Sequence, residues 1–118
     1  MVTIDLFRNE DNALEFAAGQ TIFSEGDAGD LMFVVVDGEV DLLVKGKLVE
    51  HLTPGGALGE MALIDRNARS ATAVAKTACK LMSIDEKRFK FLVQQTPNFA
   101  LQLMRIIAER LRRMDERL

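Results

Sequence analysis

The sequence predicts a mainly β protein with flanking α-helices: an antiparallel β-roll, jelly-roll-like (a double-stranded β-helix), with one short inserted helix and two C-terminal helices. Three observations carry that expectation. From Leu14 to Ile84, short apolar runs alternate with polar or glycine-bearing turns, and only the segment after Gly59 has a helical period. Beyond Ile84 the apolar residues recur every three or four positions. The 118 residues, 48% apolar and 28% charged, supply one core but not two, so 1–118 reads as a single domain.

Met1–Glu10 reads as a short helix or arm leading into the roll, which spans about 12–84. Leu14–Phe16 and Thr21–Phe23 alternate as strands around Gly19-Gln20. Ser24–Asp30 is a polar turn whose three acids do not match calcium-loop spacing, and a strand follows, so calcium is set aside. The valine-rich run Leu31–Val36 reads as a strand buried on both faces, and Asp37-Gly38 as a tight hairpin turn. Val40, Leu42 and Val44 then form one core face, Lys45–Lys47 turns, and Leu48–Leu52 returns.

Arg69–Lys76 alternates as a further strand, with Arg69, Ala71, Ala73 and Ala75 on one face. Two readings of those alanines stay open: room for a ligand, or close packing against a neighbouring sheet. Thr77–Ile84 is the last strand, with Cys79 a core or rim residue. Asp85 is a candidate N-cap for a helix over 85–95, with Phe89, Leu92 and Val93 as its apolar face, and Thr96-Pro97 breaks it. In the last helix, 98–118, Ala100, Met104, Ile107, Leu111, Met114 and Leu118 form a stripe. That stripe outruns what a small roll could cover, so it reads as a dimer seam or a lid rather than core alone. The arginines Arg105, Arg110, Arg112, Arg113 and Arg117 read as a solvated face with Glu109–Arg113 and Arg112–Glu116 pairs.

Composition excludes several function classes. A net charge of −3 gives no reason to expect DNA or a membrane as partner, and no aromatic residues are interleaved among those arginines. No basic start with an apolar run suggests a leader, and no apolar stretch approaches the ~18 residues of a membrane span. The lone thiol, Cys79, suits a cytoplasmic location. His51 is the single imidazole, so neither a metal centre nor a catalytic Ser/His or Cys/His pair is expected; the chain does not read as an enzyme.

The chemistry concentrates in Ala57–Thr72. Gly59 lets the backbone approach a bound group, and the unpaired N–H groups at the start of Glu60–Ile64 favour an anion. Arg69 adds a permanently charged fork suited to phosphate. Glu60 is repulsive beside a phosphate unless it accepts from a hydroxyl, such as a ribose 2′-OH. One anion site, one arginine and one hydroxyl acceptor describe a nucleotide phosphate with its sugar attached.

Gly59, Glu60, Ala62, Leu63, Arg69 and Ala71 together resemble the phosphate-binding cassette of the cyclic nucleotide-binding domains, the family of the catabolite activator protein and the protein kinase A regulatory subunits. Ala18–Asp30 resembles the first strands of that family, and Phe89–Leu111 its helices after the roll. Leu58 stands where phenylalanine is common and Ala68 where the kinase type has proline. The resemblance implies a stand-alone sensor domain with no cofactor, its ligand cAMP or cGMP, held by Leu58, Gly59, Glu60, Met61, Ala62, Arg69, Ser70 and Ala71. Ser70 leaves the purine open, leaning to cAMP. The resemblance further implies an output through a hinge helix, 85–95, to an unnamed protein effector, and a homodimer or lid through 98–118. Two alternatives stand beside it: a ligand-free structural or dimerisation module of the same fold, and a fragment of a larger cAMP-responsive transcription regulator.

Overall fold

The computed structural model describes residues 3–7 and 12–116, the last three of these by backbone alone. The strands are β1 (Leu14–Phe16), β2 (Thr21–Phe23), β3 (Met32–Asp37), β4 (Val40–Val44), β5 (Lys47–Leu52), β6 (Ala57–Leu58), β7 (Thr72–Ala75) and β8 (Cys79–Ile84). They form two four-stranded sheets, ordered β1-β8-β3-β6 and β2-β7-β4-β5, and every pairing is antiparallel. The helices are α1 (Met61–Ile64), inserted after β6, then α2 (Glu86–Gln95) and α3 (Pro97–Glu116). This is the expected β-roll with flanking helices.

The valine-rich run explains the layering. Along β3, Phe33 and Val35 point between the sheets, where they meet Val40, Leu42, Leu52, Leu58, Ala73, Ala75 and Leu81. Met32 and Val34 point the other way, onto Leu92, Phe99, Leu103 and Ile106 of the helices. A strand covered on both faces has no polar side to show, hence the unbroken apolar run. Ile4 and Phe7 join this second core, with the Ile4 N–H donating to Gly55 O at 2.7 Å, so the arm packs against the roll at 3–7; the rest of Met1–Glu10 lies outside the described residues.

Two local expectations are corrected. Asp37-Gly38 is not a hairpin turn: β3 pairs with β6 and β8 while β4 pairs with β5 and β7, so the chain turns a corner from one sheet to the other. A turn signal marks a reversal, not the partner, and both edges of β3 are already filled. The hairpin lies at Lys45-Gly46, joining β4 to β5. The strand expected from Arg69 begins only at Thr72, because the Arg69 backbone instead exchanges bonds of 2.8 Å with Gly26 N–H and Asp27 O. Ala73 and Ala75 are fully buried between the sheets, which assigns those two alanines to close packing.

In α3 a second apolar stripe meets the roll. Its roll-facing residues are Phe99, Leu103 and Ile106, whereas Met104 and Leu111 of the expected stripe are 60% and 57% exposed. Ala100 and Ile107 are half-buried; the Met114 side chain and Leu118 lie outside the described residues. Two apolar stripes share the helix, and periodicity alone does not say which meets the roll. Phe99 decides it, packing edge-to-face on Phe89 with ring centroids 5.8 Å apart. Asp85 caps α2 as expected, its carboxylate accepting from Arg88 N–H at 2.8 Å. No helix among the described residues is long and apolar enough to cross a membrane.

Candidate anion-binding site

Arg69 is buried, 8% exposed, although no carboxylate of the described residues lies within ion-pair distance of it. Its Nη1 donates to Gly59 O at 3.1 Å, its guanidinium lies 4.2 Å over the Phe23 ring, and its Nε has no partner. Two glycines make room for it. A Cβ at Gly29 would collide with Nε, and one at Gly59 would stand 2.6 Å from Nη1, while Gly59 also holds φ +75°. Burial lowers its pKa, with Asp30, Glu60 and Asp27 opposing that shift from farther off. A buried, permanently charged guanidinium with an unused donor is complementary to an anion.

The segment opposite is α1. Gly59 carries the chain from β6 into Glu60, which stands at the N-cap position in helical conformation. Ala62 N–H is taken by Gly59 O at 3.2 Å, so Glu60 and Met61 carry the unpaired first-turn N–H groups. Leu58 and Ala62 are buried, Met61 is exposed, and Ala71 is half-buried. Ser70 is exposed at the bend after Arg69. Of the eight candidate residues, the structure brings Arg69 and Gly59 into direct contact, through the Arg69 guanidinium and the Gly59 carbonyl.

Glu60 is more constrained than its sequence suggests. It is 5% exposed and accepts from Arg110 Nη1, on α3. Arg110 also donates from Nη2 to Ala57 O and from Nε to Glu50 at 2.7 Å, and Arg113 stands 3.3 Å from Glu50. Burial alone would lower the Arg110 pKa; the pull of Glu60 and Glu50 outweighs it and raises the value above normal. Arg110 thus belongs to the site rather than to the solvated face expected from its i,i+4 neighbours. A readable signal existed: Arg110 continues the buried stripe Phe99, Leu103, Ile106 at helical spacing. Gly29 and Phe23 carried no comparable signal, because only the fold brings them to Arg69.

Residues 13–96 match the model of the cyclic nucleotide-binding domain. The chain belongs to the cyclic nucleotide-binding domain family. A CRP-like cAMP-activated global transcriptional regulator of Mycobacterium tuberculosis is 27% identical over 110 residues, which cover 89% of this chain and 49% of that protein. The catabolite activator protein of Thermus thermophilus superposes with TM-score 0.78 at 29% identity, covering 95% of this chain and 60% of that one. A cAMP-bound PfPKA-R structure gives TM-score 0.76 at 28% identity, covering 89% of this chain and 36% of that one. The chain spans about half the length of the curated relative it matches.

Two further titratable groups of this cyclic nucleotide-binding domain, His51 and Cys79, are not among those that act on Arg69. His51 is held on the outer face of β5, with Nδ1 2.8 Å from Asp41 and Nε2 2.8 Å from Glu39; those bonds raise its pKa above 6.5. Cys79 is buried, and burial raises its thiol pKa. Clefts of about 430 Å³ beside Leu31, Asp85 and Phe91, and of about 400 Å³ beside Phe16, Asp37 and Cys79, are lined by neither Arg69 nor Glu60. Among the described residues, no three His, Cys, Asp or Glu side chains gather as a cation site.

Proposed function

We propose that this domain is a sensor for a 3′,5′-cyclic purine nucleotide, cAMP or cGMP, and that binding is passed to a separate protein through α2 and α3. The observation that carries this reading is Arg69: buried, cradled by Gly29, Gly59 and Phe23, and holding an unpartnered Nε. In this reading Arg69 pairs with the cyclic phosphate, the N–H groups at the start of α1 bond its remaining oxygens, and Glu60 accepts from the ribose 2′-OH. Ser70, beside Arg69, adds a hydroxyl donor. Leu58, Met61, Ala62 and Ala71 shape the walls. The cytoplasm is the compartment that goes with this role.

The route to an output is Arg110. One guanidinium joins Glu60 to α3, so a ribose hydroxyl that takes up Glu60 changes what holds the helix. Ligand binding and the pose of α3 then share a carboxylate, with the hinge at 85–95 between roll and helix. A second reading, that the domain serves inside a longer cAMP-responsive regulator, draws support from the 49% coverage of the mycobacterial relative.

Thermal melts with cAMP, cGMP and their 2′-deoxy forms test the site. The ribonucleotides should raise Tm more than the deoxy forms, and Glu60→Gln should remove most of that difference. If the deoxy penalty and the mutational loss simply add, Glu60 does not touch the sugar. No shift with any ligand would favour the ligand-free structural module.

A further inference from the structure

The inner face of β5 carries a carboxylate where a core residue is expected. Glu50 stands two residues from Leu52 and directly opposite Leu42, both part of the core between the sheets. Its neighbour His51 faces Asp41 on the other side. The Glu50 side chain is only 16% exposed, and an acid there is costly unless it is paired. Both of its partners, Arg110 and Arg113, come from α3.

The charges fall in an order. Arg69 Nη1 donates to the carbonyl of Gly59, Glu60 is the next residue, and Arg110 joins Glu60 to Glu50. In that chain of contacts Glu60 comes between the two arginines, and Glu50 comes after Arg110. A cyclic nucleotide has its own covalent order of phosphate, sugar and base. With phosphate at Arg69 and the ribose hydroxyl at Glu60, its base end runs toward Glu50.

We propose that Glu50 is the purine-selecting residue and that it selects guanine, an inference that rests on the cyclic-nucleotide reading above. Guanine presents N1–H and a 2-amino group as adjacent donors, which match the two oxygens of a carboxylate. Adenine has an acceptor at N1, whose lone pair faces the carboxylate unfavourably, and a single amino donor. A guanine brings two donors for the Arg110 Nε bond it replaces, with Arg113 still 3.3 Å from Glu50; adenine brings one donor and turns its N1 lone pair toward the carboxylate. Glu50 thus sets guanine where Ser70 alone leans to cAMP.

Calorimetric titration of the wild-type protein and Glu50→Gln with cGMP, cIMP and cAMP tests this. The wild type should bind cGMP about tenfold tighter than cAMP, with cIMP between them, because hypoxanthine keeps N1–H but lacks the 2-amino group. Glu50→Gln should compress the series to within about threefold. Equal or tighter binding of cAMP by the wild type overturns the inference while leaving the cyclic-nucleotide reading intact. So does a spread that survives in a folded Glu50→Gln. If that variant does not fold, the wild-type series decides alone. No binding of any of the three by folded wild-type protein overturns both readings.

Discussion

Arg69 is the residue on which binding turns. Arg69→Ala should weaken cyclic nucleotide affinity by about 2–5 kcal/mol, since it strips a buried phosphate of its counter-charge. Gly59→Ala places a methyl 2.6 Å from Arg69 Nη1 at a φ of +75°, so both Tm and affinity should fall; a variant that melts and binds like the wild type would show that the close approach is dispensable. His51 provides a pH test away from the site. Bonds from Asp41, then Glu39, raise its pKa above 6.5, so its stabilisation is full below that value and fades as pH rises through the raised one. Being partly exposed, it is worth under ~1 kcal/mol. The stability gap between wild type and His51→Gln should shrink as pH rises from below 6.5 through the raised value, and a constant gap would remove the clamp. At this scale Gly59, Glu60 and Arg69 were legible because their relationship is local, Gly59 and Arg69 standing ten positions apart. Glu50 and Arg110 were not, because they lie 60 positions apart and meet only in the fold.

The deciding element is α3, where a sequence period met a choice of faces. Its inner stripe ends in Arg110, which ties the helix to Glu60 and Glu50. Arg110→Met should destabilise the protein by about 3–5 kcal/mol, because two largely buried carboxylates lose a shared cation. Denaturant melts measure that cost, and hydrogen exchange should show α3 amides opening faster; unchanged exchange would mean that the apolar contacts of Phe99, Leu103 and Ile106 hold the helix unaided. Added nucleotide should likewise change exchange in α3, and identical profiles with and without ligand would count against the proposed output. The strands teach a complementary lesson. Alternation located them to within a few residues, yet Asp37-Gly38 shows that a turn residue does not specify which strands pair. Arg69–Thr72 shows that a polar loop can outcompete a ladder for backbone partners, here through Gly26 and Asp27.

At the scale of the whole molecule, two β-sheets enclose one core and two helices cap a second, and the candidate site sits where sheet edge, α1 and α3 converge. The layering was legible because β3 is apolar on both sides, which requires a layer on each. The outer stripe of α3 remains as a surface: Leu101, Met104 and Leu111 are exposed along it. If it is a dimer seam, sedimentation should show self-association that Met104→Glu abolishes without lowering Tm; a monomer at every concentration would leave the lid reading. The central claim, that Arg69 holds the phosphate of a cyclic nucleotide, is tested most directly by calorimetric titration of wild type and Arg69→Ala with cAMP and cGMP. The expected result is micromolar or tighter binding of at least one nucleotide by the wild type, lost in the variant. Undiminished affinity in Arg69→Ala, or no heat from folded wild-type protein, would contradict it.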